Sequence, residues 1–397
     1  MRGSEVLFSR ASRLFPKGVN SPVRYYPPYP VFIKKAKGSK IWDVDGKSYT
    51  DFLLAYGPLI LGHSPERVVK KVKEALEDGT LFGAPTEKEV KFGELFLKGS
   101  RLDRIRIVNT GTEATMHAIR LALHFTKRKR ILKIRGGYHG THPYNFESER
   151  VESVEFNSIE AIKDKLSGRE FACLIMEPVM GNIGVINPKE GYIEEIREVT
   201  EKTGTLLIVD EVITGFRTGF HPYYATKRIE PDMATFAKII GGGLPLGVYG
   251  GKEEIMREVR PSGNFPQAGT YSGNPVSVTA GLETMKILYS RDYSKLKRMT
   301  EDAVKCLSES GLTVNSETGM LSLFFSEREV TNASEAIKSR SDLYTKFFRA
   351  ALGEGIYLAP SFDETIFISF VHGDKEVREK FHVLAEEARR IWKKRSR

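Results

Sequence analysis

The sequence predicts an α/β protein, with a mainly parallel sheet flanked by helices in a large domain and a smaller α+β domain built from both chain ends. Helical and strand patterns alternate between about residues 65 and 290, as expected for repeated βα units. Two short apolar runs, "FACLIMEPV" and "TLLIVDEV", end in acidic residues, which is typical of buried strands in a parallel sheet. After about residue 290 the pattern changes to helices, two strands and a final helix.

The N-terminal part predicts one hairpin and one helix. Residues 32–52 indicate two short strands around the turn Asp45-Gly46, which is a hairpin signal. The segment "SPERVVKKVKEALEDG" predicts a helix that is capped by Ser64, has Pro65 in its first turn and closes at Gly79. We expect the hairpin to join the small domain.

The middle of the chain supplies the alternating units. Strands are predicted for "RIRIVN" and "RILKIRG", and helices for "TEATMHAIRLALHFT" and "GYIEEIREVTEKTG". Later strands, "GMLSLFF" and "TIFISFV", are assigned to the small domain. The predicted division is an N-terminal segment of residues 1–50, a large domain of residues 51–290 and a C-terminal small domain of residues 291–397.

Composition argues against several classes of function. The net charge of +10 over 397 residues suggests a nucleic-acid partner, but the basic residues are spread along the chain. The densest run, "TKRKR" at 126–130, follows a predicted helix end, where cations are favourable. No apolar stretch approaches the ~20 residues of a membrane span, and residues 1–18 do not resemble a secretion signal. The two cysteines, Cys173 and Cys306, make neither a disulfide framework nor a metal cluster, so we expect a cytoplasmic protein without metal, nucleic acid or membrane partner.

Four features lie near the carboxyl ends of predicted strands, where open α/β sheets bind ligands. The first is "VNTGTEAT", which places Thr110, Gly111 and Thr112 between a strand and a helix. Free N–H groups at a helix start, with hydroxyls beside them, form an anion site. A plain strand–helix turn with a threonine cap would have the same sequence, so this feature alone does not establish a site.

The second and third features are aromatic and acidic. Tyr138 and His139 follow a strand in "IRGGYHG", where an aromatic ring can stack on a planar ligand; a packed tyrosine and a satisfied histidine fit equally well. Asp210 ends the strand of "LLIVDEV", and a carboxylate there lies at the mouth of a site or is buried with a partner. Glu211 points to the other face and is solvated or structural.

The fourth feature is Lys238, in "TFAKIIGGGLPLG". Taken alone it is a solvated loop lysine, but a neutral lysine amine is also a nucleophile towards aldehydes. Pyridoxal 5′-phosphate would use all four features together. Its phosphate would lie on Gly111 and Thr112, its ring beside Tyr138, its pyridinium nitrogen on Asp210 and its aldehyde on Lys238.

Longer motifs resemble a known family, the class III aminotransferases of the fold-type-I pyridoxal-phosphate enzymes. They are "NTGTEATMHAIRLA", "GGYHG", "EPVMGNIGVINP", "GTLLIVDEVITGFR", "FAKIIGGGLPLGVYGG" and "QAGTYSGNPVSVTAG". These motifs resemble most closely the aminomutase branch of that family, which converts glutamate 1-semialdehyde to 5-aminolevulinate. Two more, "LFPKGVNSPVR" and "YGPLILGHSP", also resemble that branch. The resemblance implies a sheet of the seven-stranded type and pyridoxal or pyridoxamine 5′-phosphate as cofactor.

The resemblance also implies roles around the cofactor. Lys238 would be the Schiff-base lysine and proton shuttle, and Asp210 the pyridinium partner. The other implied cofactor contacts are Thr110, Gly111 and Thr112 around the phosphate, Tyr138 and Val212 at the ring, Asn182 near the phenolic oxygen, and His139.

Substrate and subunit contacts are implied in the same way. Thr270 would reach the phosphate of the neighbouring subunit's cofactor, so the active unit would be a homodimer. Ser21 and Arg24 would bind the substrate carboxylate, because an arginine fork meets a carboxylate bidentately. Without the resemblance, Arg24 is a surface arginine in a proline-rich arm.

One segment bears on the reaction. Residues 357–370, "YLAPSFDETIFISF", contain no arginine or lysine, although aminotransferases that accept dicarboxylate keto acids usually hold the second carboxylate with an arginine there. Glu364 resembles the glutamate of the aminomutase branch and would repel such a carboxylate. A loop glutamate at the surface is the simpler alternative.

Two departures keep other functions open. The long mobile segment that usually follows "YHGH" in the branch is shortened to "YHGTHPYNFESERVESVEF". The exchange implied by the resemblance passes through a diamine that must stay bound, and a missing lid puts its retention in question. Tyr56, which would line the substrate pocket, stands in "LAYGP" where the branch has tryptophan. The alternatives are an aminotransferase acting on a related amine, amino ketone or β-amino acid, and a non-catalytic basic protein that binds nucleic acid or a regulatory partner.

Overall fold

The computed structural model describes residues 2–394 and contains fourteen strands and thirteen α-helices over that range. The strands are β1 (Ile33–Lys37), β2 (Lys40–Asp43), β3 (Ser48–Asp51), β4 (Arg104–Val108), β5 (Arg130–Ile134), β6 (Val151–Val154), β7 (Phe171–Met176), β8 (Leu206–Asp210), β9 (Met233–Phe236), β10 (Gly247–Gly251), β11 (Thr313–Glu317), β12 (Met320–Phe324), β13 (Ile356–Tyr357) and β14 (Ile366–Phe367). The helices are α1 (Arg2–Ala11), α2 (Glu66–Asp78), α3 (Glu87–Ser100), α4 (Gly111–Thr126), α5 (Ile159–Ser167), α6 (Tyr192–Thr203), α7 (Tyr223–Thr226), α8 (Glu253–Met256), α9 (Pro275–Tyr289), α10 (Ser294–Ser308), α11 (Ala333–Ile337), α12 (Ser341–Gly353) and α13 (Asp374–Lys393).

The largest sheet has seven strands in the order β4-β10-β9-β8-β7-β5-β6. Every strand runs in the same direction except β10, which is antiparallel to β4 and β9. The predicted α/β class with a mainly parallel, seven-stranded sheet is therefore confirmed. The sequence did not predict β10, because "GVYGG" contains three glycines and shows little apolar pattern.

Helices cover this sheet and explain its apolar strands. Helix α4 packs against β7, β8, β9 and β10, and α6 packs against β8. Strand β7 is buried along its whole length, as expected for a strand covered on both faces. The basic run after α4 follows the helix end as predicted, and Arg128 in it donates to the carbonyls of Thr203 and Gly204 at the end of α6.

A second sheet joins the two ends of the chain. Its order is β1-β2-β3-β13, and β13 pairs parallel with β3. The prediction of two strands in this region was wrong, because the structure has three. Strand β1 pairs with β2, and the predicted Asp45-Gly46 turn joins β2 to β3. Because N-terminal strands pair with β13, the first residues and the C-terminal part share one sheet. The division at residues 50 and 290 stays a prediction.

The C-terminal part contains a third sheet, β11-β12-β14, which is antiparallel. Helix α13 packs against α10 and α12. Of the predicted strand "TIFISFV", only Ile366–Phe367 pair with a neighbour. No helix within residues 2–394 is long and apolar enough to cross a membrane.

The predicted cap of α2 was wrong. Pro65 occupies the N-cap position, and no side chain caps this helix end. Ser64 adopts a left-handed conformation with φ 50°, and its hydroxyl donates to the Ala36 carbonyl at 3.3 Å. The serine therefore contacts strand β1 instead of the helix.

Candidate active site

The predicted site residues follow five strands that end at the same edge of the large sheet. Thr110 follows β4, Tyr138 follows β5, Asn182 follows β7, Asp210 ends β8 and Lys238 follows β9. All five strands run in one direction, so their carboxyl ends meet at one edge, where ligands bind in open α/β sheets. The structure thus brings the elements of the predicted site together.

Close glycine packing joins four of these segments. A Cβ atom on Gly111 would lie 3.1 Å from Val212 and 3.4 Å from Ala237, the residue before Lys238. A Cβ atom on Gly140 would lie 2.6 Å from Oγ1 of Thr112, and Gly140 has φ +98°. Only glycine satisfies both conditions at that position. The start of α4 therefore lies against the loops that carry His139, Val212 and Lys238.

The start of α4 has the properties of an anion site. The Thr110 hydroxyl caps the helix by accepting from the Glu113 N–H at 3.1 Å. The N–H groups of Gly111 and Thr112 are in the first helical turn and have no intrahelical acceptor. Together with the positive end of the helix dipole, these donors favour a phosphate.

Asp210 is held by three donors. Its Oδ1 accepts from the Val212 N–H and from the Thr235 hydroxyl, both at 3.0 Å, and its Oδ2 lies 2.8 Å from Nδ1 of His139. A carboxylate accepts about four hydrogen bonds, so one position stays open for a further donor. The carboxylate is nearly inaccessible to water, with 2% side-chain exposure.

His139 contacts Asp210 and is itself completely buried. A carboxylate only accepts hydrogen bonds, so the proton lies on Nδ1 of the ring. Within the described residues, Nε2 of His139 has no hydrogen-bond partner. His139 was predicted as a cofactor contact, and the structure places its ring against the carboxylate of Asp210.

Tyr138 is anchored through its backbone, while its side chain remains 45% exposed. Its N–H donates to Oε1 of Glu177 at 3.0 Å, and Oε2 of Glu177 accepts from the Gly181 N–H at the same distance. Burial raises the pKa of Glu177 above its usual range. Sequence reasoning missed Glu177, although it ends an apolar strand as Asp210 does.

Asn182 lies in a turn that is joined to the segment of Glu364. The Thr365 hydroxyl donates to the Gly181 carbonyl at 2.7 Å, and the Gly184 N–H donates to the Asp363 carbonyl at 2.6 Å. These two bonds bracket Glu364, so the residue does not belong to a remote surface loop. The turn brings Asn182 and Glu364 to the same site.

Lys238 begins a one-turn 3₁₀ helix, Lys238–Gly241, in a left-handed conformation with φ 49°. The turn packs on α9, where a Cβ atom on Gly242 would lie 2.7 Å from the Ala280 carbonyl; this contact and its φ of +58° require glycine there. Burial lowers the pKa of the Lys238 amine, and the charge of Glu364 opposes this lowering. Burial is thus the main reason why this amine loses its proton more easily than an exposed lysine.

Glu364 shows the reciprocal behaviour. Burial raises the pKa of its carboxyl group, and the charge of Lys238 opposes the rise. The same carboxyl group raises the pKa of Tyr56 and of Tyr138, although burial is the larger cause for both tyrosines. The site therefore contains an acid and an amine that influence each other's proton affinity.

Arg217 is a second buried cation that sequence reasoning missed. It is fully buried, forms no ion pair within residues 2–394, and leaves Nη1 without a hydrogen-bond partner. Burial lowers its pKa to about 9, and its charge contributes to lowering the pKa of Lys238. In the sequence Arg217 stands between Phe216 and Thr218, and no local pattern there distinguishes it from a surface arginine.

The N-terminal arm reaches the site through Tyr56. The Tyr56 hydroxyl donates to the Val23 carbonyl at 2.6 Å, and the charge of Arg24 lowers the pKa of this tyrosine against the larger effect of burial. Arg24 is exposed at the end of the one-turn helix Pro22–Arg24, and Ser21 is partly buried at its N-cap. Tyr56 follows Leu54 and Ala55, and all three have positive φ values, of 48°, 56° and 67°.

Two predicted residues lie elsewhere. Thr270 is exposed in the loop before α9, and no described contact joins it to the site of its own chain. Glu211 is buried, with Oε2 accepting from the Thr214 hydroxyl at 2.6 Å and Oε1 from the Tyr224 N–H at 2.9 Å. Of the two alternatives for Glu211, the structural one is correct.

Known proteins share this fold and these motifs. The family model "Aminotransferase class-III" matches residues 22–146 and 141–383. A glutamate-1-semialdehyde 2,1-aminomutase from Thermoplasma volcanium is 45% identical, with the alignment covering 94% of this chain and 96% of that protein. An omega-transaminase from Sphaerobacter thermophilus superposes with a TM-score of 0.91 at 28% identity, over 97% of this chain and 98% of that one. A transaminase with PLP bound gives a TM-score of 0.91 at 25% identity, over 100% and 99% of the two chains.

The chain belongs to the class-III aminotransferase family. The two segments matched by the family model meet at residues 141–146, within the short connection after His139. Since a transaminase superposes this closely, the fold alone does not select one reaction of the family.

Proposed function

We propose that this chain converts glutamate 1-semialdehyde to 5-aminolevulinate by intramolecular amino exchange with pyridoxal or pyridoxamine 5′-phosphate. The name of the Thermoplasma relative supports this reaction. The observation that carries the choice is Glu364, whose charge raises the pKa of the Lys238 amine against the larger effect of burial. The segment of Glu364, residues 357–370, has no arginine or lysine. A carboxylate there repels the second carboxylate of a dicarboxylate keto acid, which favours exchange within one substrate.

The residues present fit this cofactor. The first turn of α4 offers N–H donors at Gly111 and Thr112 for the phosphate, and Thr110 contributes the cap. Asp210 retains one open acceptor position for a protonated ring nitrogen. Val212 and Tyr138 would flank the ring, with Asn182 near its phenolic oxygen.

When bound, the cofactor supplies a carbonyl that links to amines and a ring that accepts electrons. The protein's residues supply the rest. The Lys238 amine carries protons at the reacting carbon, and its lowered pKa keeps a larger neutral fraction available as a base. Asp210 holds the proton on the ring nitrogen, and His139 fixes the carboxylate that does so. Ser21 and Arg24 bind the substrate carboxylate, while Tyr56 forms a wall of the pocket.

We further propose a homodimer in the cytoplasm. Thr270 is exposed, as a residue that contacts a neighbouring subunit's cofactor must be in a single chain. The two cysteines, Cys173 and Cys306, are free and buried, which fits a reducing compartment. Sedimentation of the wild type and of the variant Thr270→Ala tests whether the dimer forms, and titration of both proteins with the cofactor tests whether cofactor affinity depends on this hydroxyl.

A second candidate is an aminotransferase that acts on a related amine, amino ketone or β-amino acid. Two observations favour it: the short connection after His139, and the hydroxyl of Tyr56 in a pocket where the aminomutase branch has tryptophan. This alternative requires a keto acid in every cycle, whereas the proposed reaction does not.

The deciding experiment supplies the pyridoxamine form of the enzyme with glutamate 1-semialdehyde and no keto acid. We expect many turnovers of 5-aminolevulinate per active site. A single turnover, followed by conversion of the cofactor to its aldehyde form, would support the aminotransferase instead. No product and no cofactor absorbance would support a non-catalytic protein.

The attachment point is tested separately. Borohydride reduction of the holoenzyme, followed by peptide mapping, should modify Lys238 and leave Lys252 unmodified. The variant Lys238→Ala should show no covalent adduct while its folded state persists by circular dichroism. A wild-type protein saturated with cofactor but unmodified at Lys238 would refute the assignment.

A further inference from the structure

The connection after β5 is short and is fastened along its length. From His139 it passes through a one-turn helix, Pro143–Asn145, and reaches β6 at Val151. Residues 148 and 151 form a β-bridge, and the Arg150 carbonyl accepts from the Ile131 N–H at 2.8 Å. A segment with these backbone bonds lies against the sheet.

A buried lysine fastens the middle of this connection. Lys133, on β5, is only 7% exposed, and its amine donates to the backbone carbonyl of Asn145 at 2.7 Å and to Oδ1 of the same residue at 3.1 Å. Among the described residues no carboxylate forms an ion pair with it. Burying an amine is costly unless it is well hydrogen-bonded, so Asn145 is the residue that makes Lys133 tolerable there.

Asn145 links Lys133 to His139, a residue of the predicted site. Its Oδ1 also accepts from the His139 N–H at 3.0 Å, and the His139 ring bonds Asp210 at 2.8 Å. On the opposite side, the Thr115 hydroxyl contacts the His139 carbonyl and lies 3.1 Å from Nε2 of His142. The backbone of His139 is therefore held from the sheet by Asn145 and from α4 by Thr115.

We propose that Lys133 and Asn145 are positioning residues of the cofactor site: they fix the backbone of His139, and through its ring the carboxylate of Asp210, so that the short connection is a permanent wall of the site. The described hydrogen bonds of the Lys133 amine go to Asn145 alone. Lys133 acts through Asn145. This role rests on the proposed cofactor and is the same whichever substrate the enzyme uses.

The alternative is that Lys133 contributes only to global stability. The two roles differ in what they predict for the cofactor and for local amide exchange. A purely structural lysine would change the unfolding temperature and leave the cofactor's dissociation rate and absorbance spectrum unchanged in the folded protein.

The test uses the full-length holoenzyme and the variants Lys133→Met and Asn145→Ala. We expect each to raise the dissociation rate of pyridoxal 5′-phosphate about tenfold, the scale of one hydrogen bond to a charged group, and to speed hydrogen exchange at residues 139–145. Lys47→Met is the matched control, because the Lys47 amine also donates to two backbone carbonyls, at 3.2 Å, away from the site. It should leave both measurements unchanged.

Coupling between the two residues provides the stricter criterion. The double variant should lose no more cofactor affinity than either single variant, since both interrupt one chain of contacts. Additive effects, or unchanged dissociation and exchange in the folded single variants, would overturn the inference while leaving the proposed reaction intact. If Lys133→Met does not fold, Asn145→Ala decides alone, because it keeps the backbone carbonyl that bonds the lysine and removes the Oδ1 that accepts from both the Lys133 amine and the His139 N–H.

Discussion

Nη2 of Arg217 donates a hydrogen bond to the carbonyl of Gly57 over 2.7 Å. Its Nε donates to the Ile213 carbonyl at 2.8 Å, and the guanidinium lies 4.7 Å from the centre of the Phe367 ring. A single buried side chain thus joins the turn of Tyr56, the segment after Asp210 and the strand that follows Glu364. Arg217 has no carboxylate partner in the described structure. Its positive charge contributes to lowering the pKa of the neighbouring Lys238 amine.

Replacing Arg217 with methionine should raise the pKa of Lys238. The positive charge of Arg217 disfavours a second positive charge, so its removal makes protonation of the amine easier. We expect the titration midpoint of the amine to rise by about one pH unit, or ~1.4 kcal/mol. Competitive acetylation of the cofactor-free enzyme at a series of pH values, read by mass spectrometry at Lys238, measures the midpoint.

Arg217→Lys provides the control for this shift. It keeps the charge while losing the planar fork that reaches two carbonyls. The midpoint should stay close to the wild-type value. A lysine variant that titrates like the methionine variant would show that hydrogen bonds, and not charge, set the proton affinity of Lys238.

Replacing Glu364 with glutamine should open the site to dicarboxylate keto acids. Without the like charge, 2-oxoglutarate should accept the amine of the pyridoxamine form about five- to tenfold faster, which corresponds to ~1 kcal/mol of relieved repulsion. Stopped-flow absorbance of the cofactor gives this rate. Asp363→Asn removes a carboxylate from the same segment and should have a much smaller effect; equal effects would assign the repulsion to the loop as a whole.

Replacing Asp210 with asparagine should remove the support for the protonated ring nitrogen. We expect kcat to fall about 10²–10³-fold, as when a preorganised electrostatic contact is lost, with faster loss of cofactor on dialysis. Glu211→Gln is the neighbouring control, since the Glu211 carboxylate accepts from the Thr214 hydroxyl and the Tyr224 N–H and has no described bond to Asp210 or Lys238. It should retain the wild-type absorbance spectrum of bound cofactor.

Replacing Gly140 with alanine should destabilise the protein by more than its backbone conformation alone explains. The new Cβ would lie 2.6–2.9 Å from atoms of Thr112, so either α4 or the loop must move. Gly46→Ala is the matched control, because Gly46 has φ +89° and nothing within 4 Å of its Cβ position. Thermal unfolding should show an extra loss of ~1–3 kcal/mol for Gly140→Ala; equal losses would mean that the contact with Thr112 relaxes freely.

The sequence predicted those parts of the site that follow a local rule. Asp210 ends an apolar strand, Gly111 begins a helix, and Lys238 follows the next strand, so the order of βα units was sufficient to place them at one edge. Glu364 was assigned only through a family resemblance, because no local pattern indicates that its segment bonds to the turn of Asn182. That contact joins residues 181 and 365 and exists only in the folded chain.

Other parts depend on tertiary contacts that spacing does not reveal. Arg217 and Lys133 look like surface cations in sequence, and only the packing around them shows that backbone carbonyls hold them in place. The same reason explains the error at Ser64, whose hydroxyl bonds strand β1 instead of the nearer helix. Strand β10 was missed because its three glycines leave little apolar pattern. The structure shows why glycine is needed there, since a Cβ atom on Gly250 would lie 2.4 Å from the Arg104 carbonyl.

The three left-handed residues Leu54, Ala55 and Tyr56 have a thermodynamic consequence for redesign. Each such conformation costs about 1–2 kcal/mol relative to a relaxed backbone. Because Ala55 is exposed, glycine there should increase the free energy of unfolding. The same exchange would widen the range of backbone conformations open to the turn that positions the Tyr56 side chain. Selection for thermal stability would therefore favour glycine at position 55, whereas selection for substrate specificity would favour alanine.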